Sequence, residues 1–195
     1  MTTIAITGGI GSGKSHLCRI IEESGAPIFY ADPVAKHIIR THPAVQRDLR
    51  SLVGAKVYDA EGQLVKSVLA AYLCQGPEFS HRVDAIVHPR VAEAWQTFVE
   101  QHSSSDAPYI YMECALLFES GFERLVDKTL LVTCDEEERI RRVMRRDGID
   151  RETVLRWMAL QMPEAEKRRR ADWIVESNTL EKEREQLRQL GLLRD

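Results

Sequence analysis

The feature that most constrains the fold is a glycine-rich loop that stands between a strand pattern and a helix pattern near the start of the chain. Residues 8–15 have the sequence GGIGSGKS, which fits the pattern G-x-x-x-x-G-K-[ST]. Residues 3–7 before the loop are short, β-branched and apolar, which is typical of a buried parallel strand. Residues 17–21 after it carry apolar side chains at helical spacing, and Gly25 supplies a C-cap signal. This order predicts an α/β sheet built around a phosphate-binding loop.

The chemistry of the loop follows from its backbone. Glycines let successive N–H groups converge on one anion, and the start of a helix adds its positive dipole end. Lys14 is expected to reach the β- and γ-phosphates, and the Ser15 hydroxyl to ligate Mg²⁺ directly. An ordinary glycine-rich turn is the alternative, but it gives the Gly-Lys-Ser run no packing role. The loop therefore predicts binding of a nucleoside triphosphate with magnesium.

Composition narrows the class of protein. The chain has 195 residues, 44% of them apolar, and a net charge of −3. These values fit one globular unit with room for a small inserted subdomain, and they favour neither nucleic acid nor a membrane as a partner. Because the chain starts directly in its first strand pattern and has no apolar run of membrane length, we expect no signal peptide and a cytoplasmic protein. No C-x-x-C pair occurs, so we expect reduced core thiols, without zinc or disulfides, at Cys18, Cys74, Cys114 and Cys134.

Further strand patterns follow along the chain, at 26–30, 109–112, 128–133 and 173–175. Their alternation with helix patterns predicts a five-stranded parallel sheet of the P-loop NTPase type with helices on both faces. Between the second and third strands the pattern is helical, with helices expected near 34–52, 67–74, 79–87 and 90–101. Such a stretch indicates an inserted substrate-binding region. A polar, linker-like segment covers 101–106, and a final amphipathic helix covers 180–190.

An arginine-dense helix pattern lies between the fourth and fifth strands, with Asp135 as its expected N-cap. A solvated basic helix face is one interpretation of such a run. A lid that closes over the triphosphate is the other, and the phosphate-binding loop favours it, since a kinase must neutralise charge on the transferred group. Arg142 and Arg146 share one helical face, as a clamp requires. The arginines of this segment are Arg139, Arg141, Arg142, Arg145, Arg146, Arg151 and Arg156.

Acidic residues follow two of the predicted strands. Asp32 comes after the second strand, where a carboxylate can accept the proton of an attacking hydroxyl. The same residue suits the N-cap of a helix that begins at Pro33, and the two roles are compatible. Glu113 ends the third strand and is expected to hold magnesium through water. His88 and Pro89 are expected to form a turn before a helix.

Taken in order, these segments resemble dephospho-coenzyme A kinases over essentially the whole chain. The family phosphorylates the ribose 3′-hydroxyl of dephospho-coenzyme A with ATP and Mg²⁺, the last step of coenzyme A synthesis. Its implied fold is a parallel P-loop core with a helical substrate-binding region and a lid. The resemblance rests on segments 7–15, Ala31-Asp32, Val87-His88-Pro89, 116–119, Arg142-x-x-x-Arg146-Asp147, Gln161 and Ala171-Asp172.

The resemblance implies roles for individual residues. Asp32 becomes the general base and contacts substrate, His88 is a further substrate-binding residue, and Lys14 and Arg142 assist the transfer. The implied ATP-binding residues are Gly11, Ser12, Gly13, Lys14, Ser15, His16, Arg142 and Arg146. The implied regions are a core of 1–31, 107–135 and 171–195, an insertion of 32–106 and a lid of 136–170. The chain departs from the family pattern at Tyr30, His16, Ala115, Arg139 and the segment 176–179.

Two other functions stay open from the residues alone. The chain could be a kinase of another small molecule, such as a nucleoside monophosphate or a sugar acid, and a panel of acceptors separates these. A GTPase or ATPase switch is the second alternative. A guanine-reading Asn-Lys-x-Asp motif, which a GTPase requires, does not occur in the sequence.

Overall fold

A computed structural model describes residues 1–104 and 107–193 and contains one parallel five-stranded sheet. The spatial order of the strands is β2-β3-β1-β4-β5, so the strand that leads into the glycine loop is central. Every pairing between neighbouring strands is parallel. The predicted sheet is confirmed, and its strands are β1 Thr2–Thr7, β2 Ile28–Tyr30, β3 Tyr109–Glu113, β4 Lys128–Thr133 and β5 Trp173–Glu176.

Helices lie between all consecutive strands. Between β3 and β4 they are short, namely the four-residue helix α6 (Leu117–Ser120) and a 3₁₀ turn over Phe122–Leu125. The chain divides into two compact units, one of Met1–Tyr30 with Gln101–Asp195 and one of Ala31–Glu100. The helices are α1 Lys14–Glu23, α2 Ala31–Thr41, α3 Pro43–Val53, α4 Lys66–Leu73, α5 Pro77–His102, α6 Leu117–Ser120, α7 Glu136–Asp147, α8 Arg151–Ala159, α9 Glu164–Arg170 and α10 Leu180–Gln189.

The core of the first unit packs helices α1 and α10 against the sheet. The apolar face of α1 is fully buried, and it meets side chains from β1, β3, β4 and β5. Burying one large aliphatic side chain contributes about 1.5–3 kcal/mol, so this contact fixes the helix to the strands. The glycine loop is thereby held at both ends by buried structure. The buried side chains of this core include those of Ile4, Ile6, Leu17, Ile20, Ile21, Tyr111, Leu130, Val175 and Leu187.

The second unit is built from helices, as the sequence predicts for this stretch. Val83, Val87, Val91 and Trp95 form one buried stripe along α5. Tyr58 is buried, its hydroxyl donates to the Ile39 carbonyl at 2.6 Å, and the Arg50 guanidinium lies 4.7 Å from its ring centre. Burial raises the pKa of the Tyr58 phenol.

Two predicted helix boundaries in this unit are wrong. The helix expected over 34–52 is two helices, because Pro43 starts α3 with His42 as its N-cap, and the His42 ring accepts from the Val45 N–H. The helices expected over 79–87 and 90–101 are one helix, α5, with Pro89 inside it. The buried stripe continues on both sides of Pro89, and its burial outweighs the hydrogen bond that proline removes.

Several smaller expectations are also corrected. Helix α2 begins at Ala31, so Asp32 lies in its first turn and is not its N-cap. Helix α1 ends with Ser24 as its C-cap, and Gly25 follows with a φ of 84°. Cys74 is exposed rather than in a core. The predicted linker of 101–106 begins inside α5, and its residues 105 and 106 lie outside the described residues.

Candidate functional site

The phosphate-binding loop occupies the turn between β1 and α1. Helix α1 begins at Lys14, and its N-cap is Gly13 with a φ of 102°. An α-helix leaves N–H groups of its first turn without intrahelical acceptors, and its dipole is positive there. The Lys14 ammonium donates to the Gly8 carbonyl at 2.7 Å, so its side chain folds back over the loop. This geometry suits the anion site that the sequence predicts.

At two positions of the loop a residue other than glycine would have an unfavourable positive φ and would also clash with a neighbouring residue. A Cβ on Gly11, whose φ is 77°, would lie 2.5 Å from the Arg139 carbonyl oxygen. A Cβ on Gly13 would lie 2.2 Å from the Ser177 hydroxyl oxygen. Left-handed backbone angles already disfavour side chains. Neighbouring segments therefore pack directly on the loop backbone at both positions.

A cavity of about 230 Å³ opens over the loop. Its walls are the loop backbone on one side and helix α7 on the other. Of the arginines in the arginine-dense segment, Arg142 and Arg146 line it. Two cationic side chains facing the start of a helix make this cavity strongly attractive to a polyanion. The lining residues are Gly11, Ser12, Gly13, Lys14, Ser15, Arg142, Val143 and Arg146.

Four other arginines of the segment divide between packing and exposed ion pairs. Arg139 is only 6% exposed, donates to the Ile10 carbonyl at 3.1 Å and pairs with Glu164 at 3.4 Å. The amide N–H of Ile10 donates to the Gln161 side chain at 2.8 Å. Loop residue Ile10 is thus held through both its N–H and its carbonyl. Exposed ion pairs on the outer surface involve Arg141, Arg151 and Arg156.

Glu113 lies at the carboxyl edge of the sheet next to the loop. It is the last residue of β3 and stands opposite Ile6 of β1, just before the loop begins. Together with burial, which is the larger cause, its charge raises the pKa of the Cys18 thiol to about 12, and the charge of Lys14 opposes that rise. The charges of Lys14 and Glu113 thus both influence the pKa of the buried Cys18 thiol on α1.

Asp32 and His88 belong to the second unit. Asp32 lies in the first turn of α2, where the helix dipole stabilises a carboxylate. His88 lies in the middle of α5, not in a turn, and its ring is 3.5 Å from the Asp84 carboxylate. The chain reaches Asp32 directly from β2, whose last residue Tyr30 stands opposite Glu113.

The loop fits a triphosphate with magnesium. In residues 1–104 and 107–193 no three His, Cys, Asp or Glu side chains are grouped so that they could hold a metal by themselves. Mg²⁺ typically takes one or two protein oxygens and completes its shell with phosphate and water. Ser15 is exposed in the cavity wall. Ser12 lines the same cavity, and its buried hydroxyl has no hydrogen-bond partner among the described residues. The cavity thus offers a few serine oxygens, which suits a magnesium ion that is held mainly by phosphate and water.

Sequence reasoning missed two residues of this region, Ser177 and Glu183. The Ser177 hydroxyl accepts from Arg142 Nη1 at 3.1 Å and donates to Glu183 at 3.0 Å. Glu183 is completely buried on α10. A signal was present, because Glu183 lies one helical turn before Leu187 on the apolar stripe of that helix. A charged residue on such a stripe indicates a buried partner.

The central strand, the glycine loop with Lys14 and Ser15, and the arginines facing it define a P-loop kinase. The family profile for dephospho-CoA kinase matches residues 2–183. A dephospho-CoA kinase of Thermus thermophilus is 39% identical over 174 residues, which are 89% of this chain and 82% of that protein. The chain belongs to the dephospho-CoA kinase family.

A second relative agrees with this assignment, and a solved structure shares the fold. A dephospho-CoA kinase of Acinetobacter baylyi is 35% identical over 90% of this chain and 88% of its own length. A crystal structure of a Thermus thermophilus protein superposes with a TM-score of 0.82 and 36% identity, covering 98% of this chain and 96% of the other. No helix within the described ranges has both the length and the apolarity that crossing a bilayer demands.

Proposed function

We propose that this chain transfers the γ-phosphoryl group of ATP to the ribose 3′-hydroxyl of dephospho-CoA, giving coenzyme A and ADP. The family assignment supplies the reaction, the last step of coenzyme A synthesis, and places the chain among kinases. The single observation that carries the proposal in this structure is the cavity between the loop and the two arginines of α7. A reaction on a soluble metabolite suits a cytoplasmic location.

The transfer is an in-line displacement. The 3′-oxygen forms a bond to the γ-phosphorus while the bond to the β–γ bridging oxygen breaks, and ADP leaves. Lys14 holds the β- and γ-phosphates, and Arg142 with Arg146 neutralises charge on the transferred group. Backbone N–H groups of the loop fix the phosphates in place. The residues proposed to contact ATP are Gly11, Ser12, Gly13, Lys14, Ser15, His16, Arg142 and Arg146.

We assign the role of general base to Asp32, whose carboxylate accepts the proton that the 3′-hydroxyl loses. Chain connectivity supports the assignment. Tyr30 ends β2 beside Glu113 at the loop edge of the sheet, and Asp32 follows within about 8 Å of Tyr30 along the chain. His88 is proposed as a substrate-binding residue of the helical region 32–106, and residues 136–170 as the lid.

Magnesium would be held by the Ser15 hydroxyl directly and by Glu113 through water. When bound, it neutralises phosphate charge and orients the leaving group. Both residues lie at the carboxyl edge of the sheet in the same unit, Ser15 in the first turn of α1 and Glu113 at the end of β3.

Release of ADP from Mg-ATP by the purified chain tests the proposal. We expect release only when dephospho-CoA is added, and none with a nucleoside monophosphate or a sugar acid in its place. Equal release with another acceptor would assign the chain a different substrate.

A further inference from the structure

A continuous hydrogen-bond chain links the first turn of α1 to the arginine that faces the loop. His16 Nδ1 lies 2.8 Å from Glu183 Oε2, and the Ser177 hydroxyl donates to Glu183 Oε1 at 3.0 Å. Arg142 Nη1 donates to the same hydroxyl at 3.1 Å. One buried carboxylate thus has partners on α1 and, through Ser177, on α7.

The hydrogen bonds run in a consistent direction when Glu183 is a carboxylate. A carboxylate accepts and does not donate, so the Ser177 hydroxyl donates to it, and the His16 tautomer that fits carries a proton on Nδ1. The lone pairs of Ser177 are then left for the Arg142 guanidinium. Because Arg142 can only donate and Ser177 has a single hydroxyl proton, the links from Arg142 through Ser177 to Glu183 run in one direction and act as a unit.

Burial of Glu183 and Ser177 limits the hydrogen-bond partners that these two side chains can have. Glu183 is 0% exposed and Ser177 is 5% exposed, so neither can exchange its partner for water. A buried carboxylate is costly unless it is paired and hydrogen-bonded. The available partners are the donors just named, and their positions are therefore coupled to that of Glu183.

The chain of hydrogen bonds rests directly on the phosphate-binding loop. The Ser177 hydroxyl oxygen would lie 2.2 Å from a Cβ on Gly13, and Arg142 Nη1 would lie 3.3 Å from it. Arg142 also bonds to Glu138 at 3.0 Å, one turn earlier on α7. Its guanidinium is therefore held between Glu138 and Ser177 at the wall of the cavity.

Two departures from the family pattern meet in this arrangement. His16 stands where the family usually has threonine, and residues 176–179, which include Ser177, form an unusual version of their segment. In the structure Glu183 bonds to both His16 and Ser177. The departures are thus parts of one connected group.

We propose that Glu183 is a positioning residue for ATP, which holds Arg142 against the loop through Ser177 and is itself held by His16. The inference rests on the proposed function, in that Arg142 must contact the triphosphate. Glu183 does not touch the nucleotide, and its effect passes through the guanidinium.

The test is the dissociation constant of Mg-ATP, measured by calorimetry on the purified full chain. Glu183→Leu removes the acceptor but suits the apolar surroundings of Leu187, so we expect it to fold and to bind Mg-ATP about tenfold more weakly. Glu183→Gln keeps an acceptor for Ser177 and can donate to the other tautomer of His16. We expect this conservative variant to restore binding to within about threefold of wild type.

A double-mutant cycle separates positioning from general destabilisation. Arg142→Ala removes the group that Glu183 holds, so adding Glu183→Leu to it should weaken binding by less than about twofold more. A purely structural role would make the two losses multiply. Should Glu183→Leu unfold the protein, Ser177→Ala removes the hydroxyl that joins Glu183 to Arg142 and leaves the bond between Glu183 and His16 in place. It is expected to give the same loss and the same non-additivity.

Glu185→Leu is the matched control, because Glu185 lies on the exposed face of the same helix. It should bind Mg-ATP as wild type does. Wild-type affinity in Glu183→Leu or in Ser177→Ala, or full additivity with Arg142→Ala, would overturn the proposal. Mg-ATP binding without phosphorylation of dephospho-CoA would contradict only the proposed acceptor, whereas absence of Mg-ATP binding by the wild type would overturn both.

Discussion

At the scale of single residues, the proposed reaction depends most on the carboxylate of Asp32. In Asp32→Asn the side chain keeps its size but can no longer accept a proton. We expect turnover to fall by about 10²–10⁴-fold, the usual contribution of a general base, while Mg-ATP binds as before. Rapid-mixing kinetics with calorimetry separates the two effects. Asp59→Asn, on an exposed turn of the same unit, is the control, and near-wild-type turnover in Asp32→Asn would remove Asp32 from the role of base.

Gly13 is a loop position at which an added side chain would meet a close neighbour. In Gly13→Ala the residue would keep a φ of 102°, and its methyl group would clash with Ser177. We therefore expect Mg-ATP to bind at least tenfold more weakly, which is a loss of about 1.4 kcal/mol in binding free energy. Gly25→Ala imposes a similar backbone strain at a φ of 84° but meets nothing within 4 Å. It should lower stability without affecting the Mg-ATP dissociation constant. Equal binding losses in both variants would mean that backbone strain, not contact, sets the effect.

The raised pKa of the Cys18 thiol should make the free energy of unfolding depend on pH. Its pKa is raised from an ordinary 9.0 to about 12, chiefly by burial. A raised pKa in the folded state means that the contribution to stability is complete below about pH 9 and is lost as pH rises toward 12. We expect the free energy of unfolding to fall over this window, and to fall less steeply in Cys18→Ala. Parallel curves for the two proteins in urea titrations would contradict this expectation.

At the scale of elements, α7 carries the arginines that face the loop and begins with a capped first turn. The Asp135 carboxylate accepts from the Glu138 N–H at 3.1 Å, as the sequence predicts. Asp135→Ala should lower the free energy of unfolding by about 1 kcal/mol and weaken Mg-ATP binding, since the helix positions Arg142. Glu136→Ala, next to the cap on the exposed surface, should change both quantities less. Urea unfolding of the two variants compares them directly, and equal losses would show that the cap is not what secures α7.

Among the strands and helices, some could be predicted from the sequence and others could not. The strands around the loop were predictable because β1, β3 and β4 are buried on both faces and form short apolar runs with clear ends. The continuity of α5 was not, because a local rule breaks a helix at Pro89, while the burial that overrides it exists only in the folded structure. The position of Glu183 was missed for the same reason. Its partner His16 is separated from it by most of the chain.

At the scale of the whole molecule, the sequence indicated residues that surround one cavity but not all of the contacts around it. Gly11 to Ser15, Arg142 and Arg146 lie around one cavity, as the pattern predicted. Arg139 was grouped with them, yet it holds the loop backbone through Ile10. Asp32 and His88 lie in the unit of Ala31–Glu100, and their roles in catalysis and substrate binding remain predictions.

The most direct test of the central claim is phosphorus NMR of the product formed from Mg-ATP and dephospho-CoA. We predict one new phosphomonoester signal, coupled to the proton on the ribose 3′-carbon, that grows in step with ADP. A phosphate on any other hydroxyl, or ADP formed without this signal, would contradict the account.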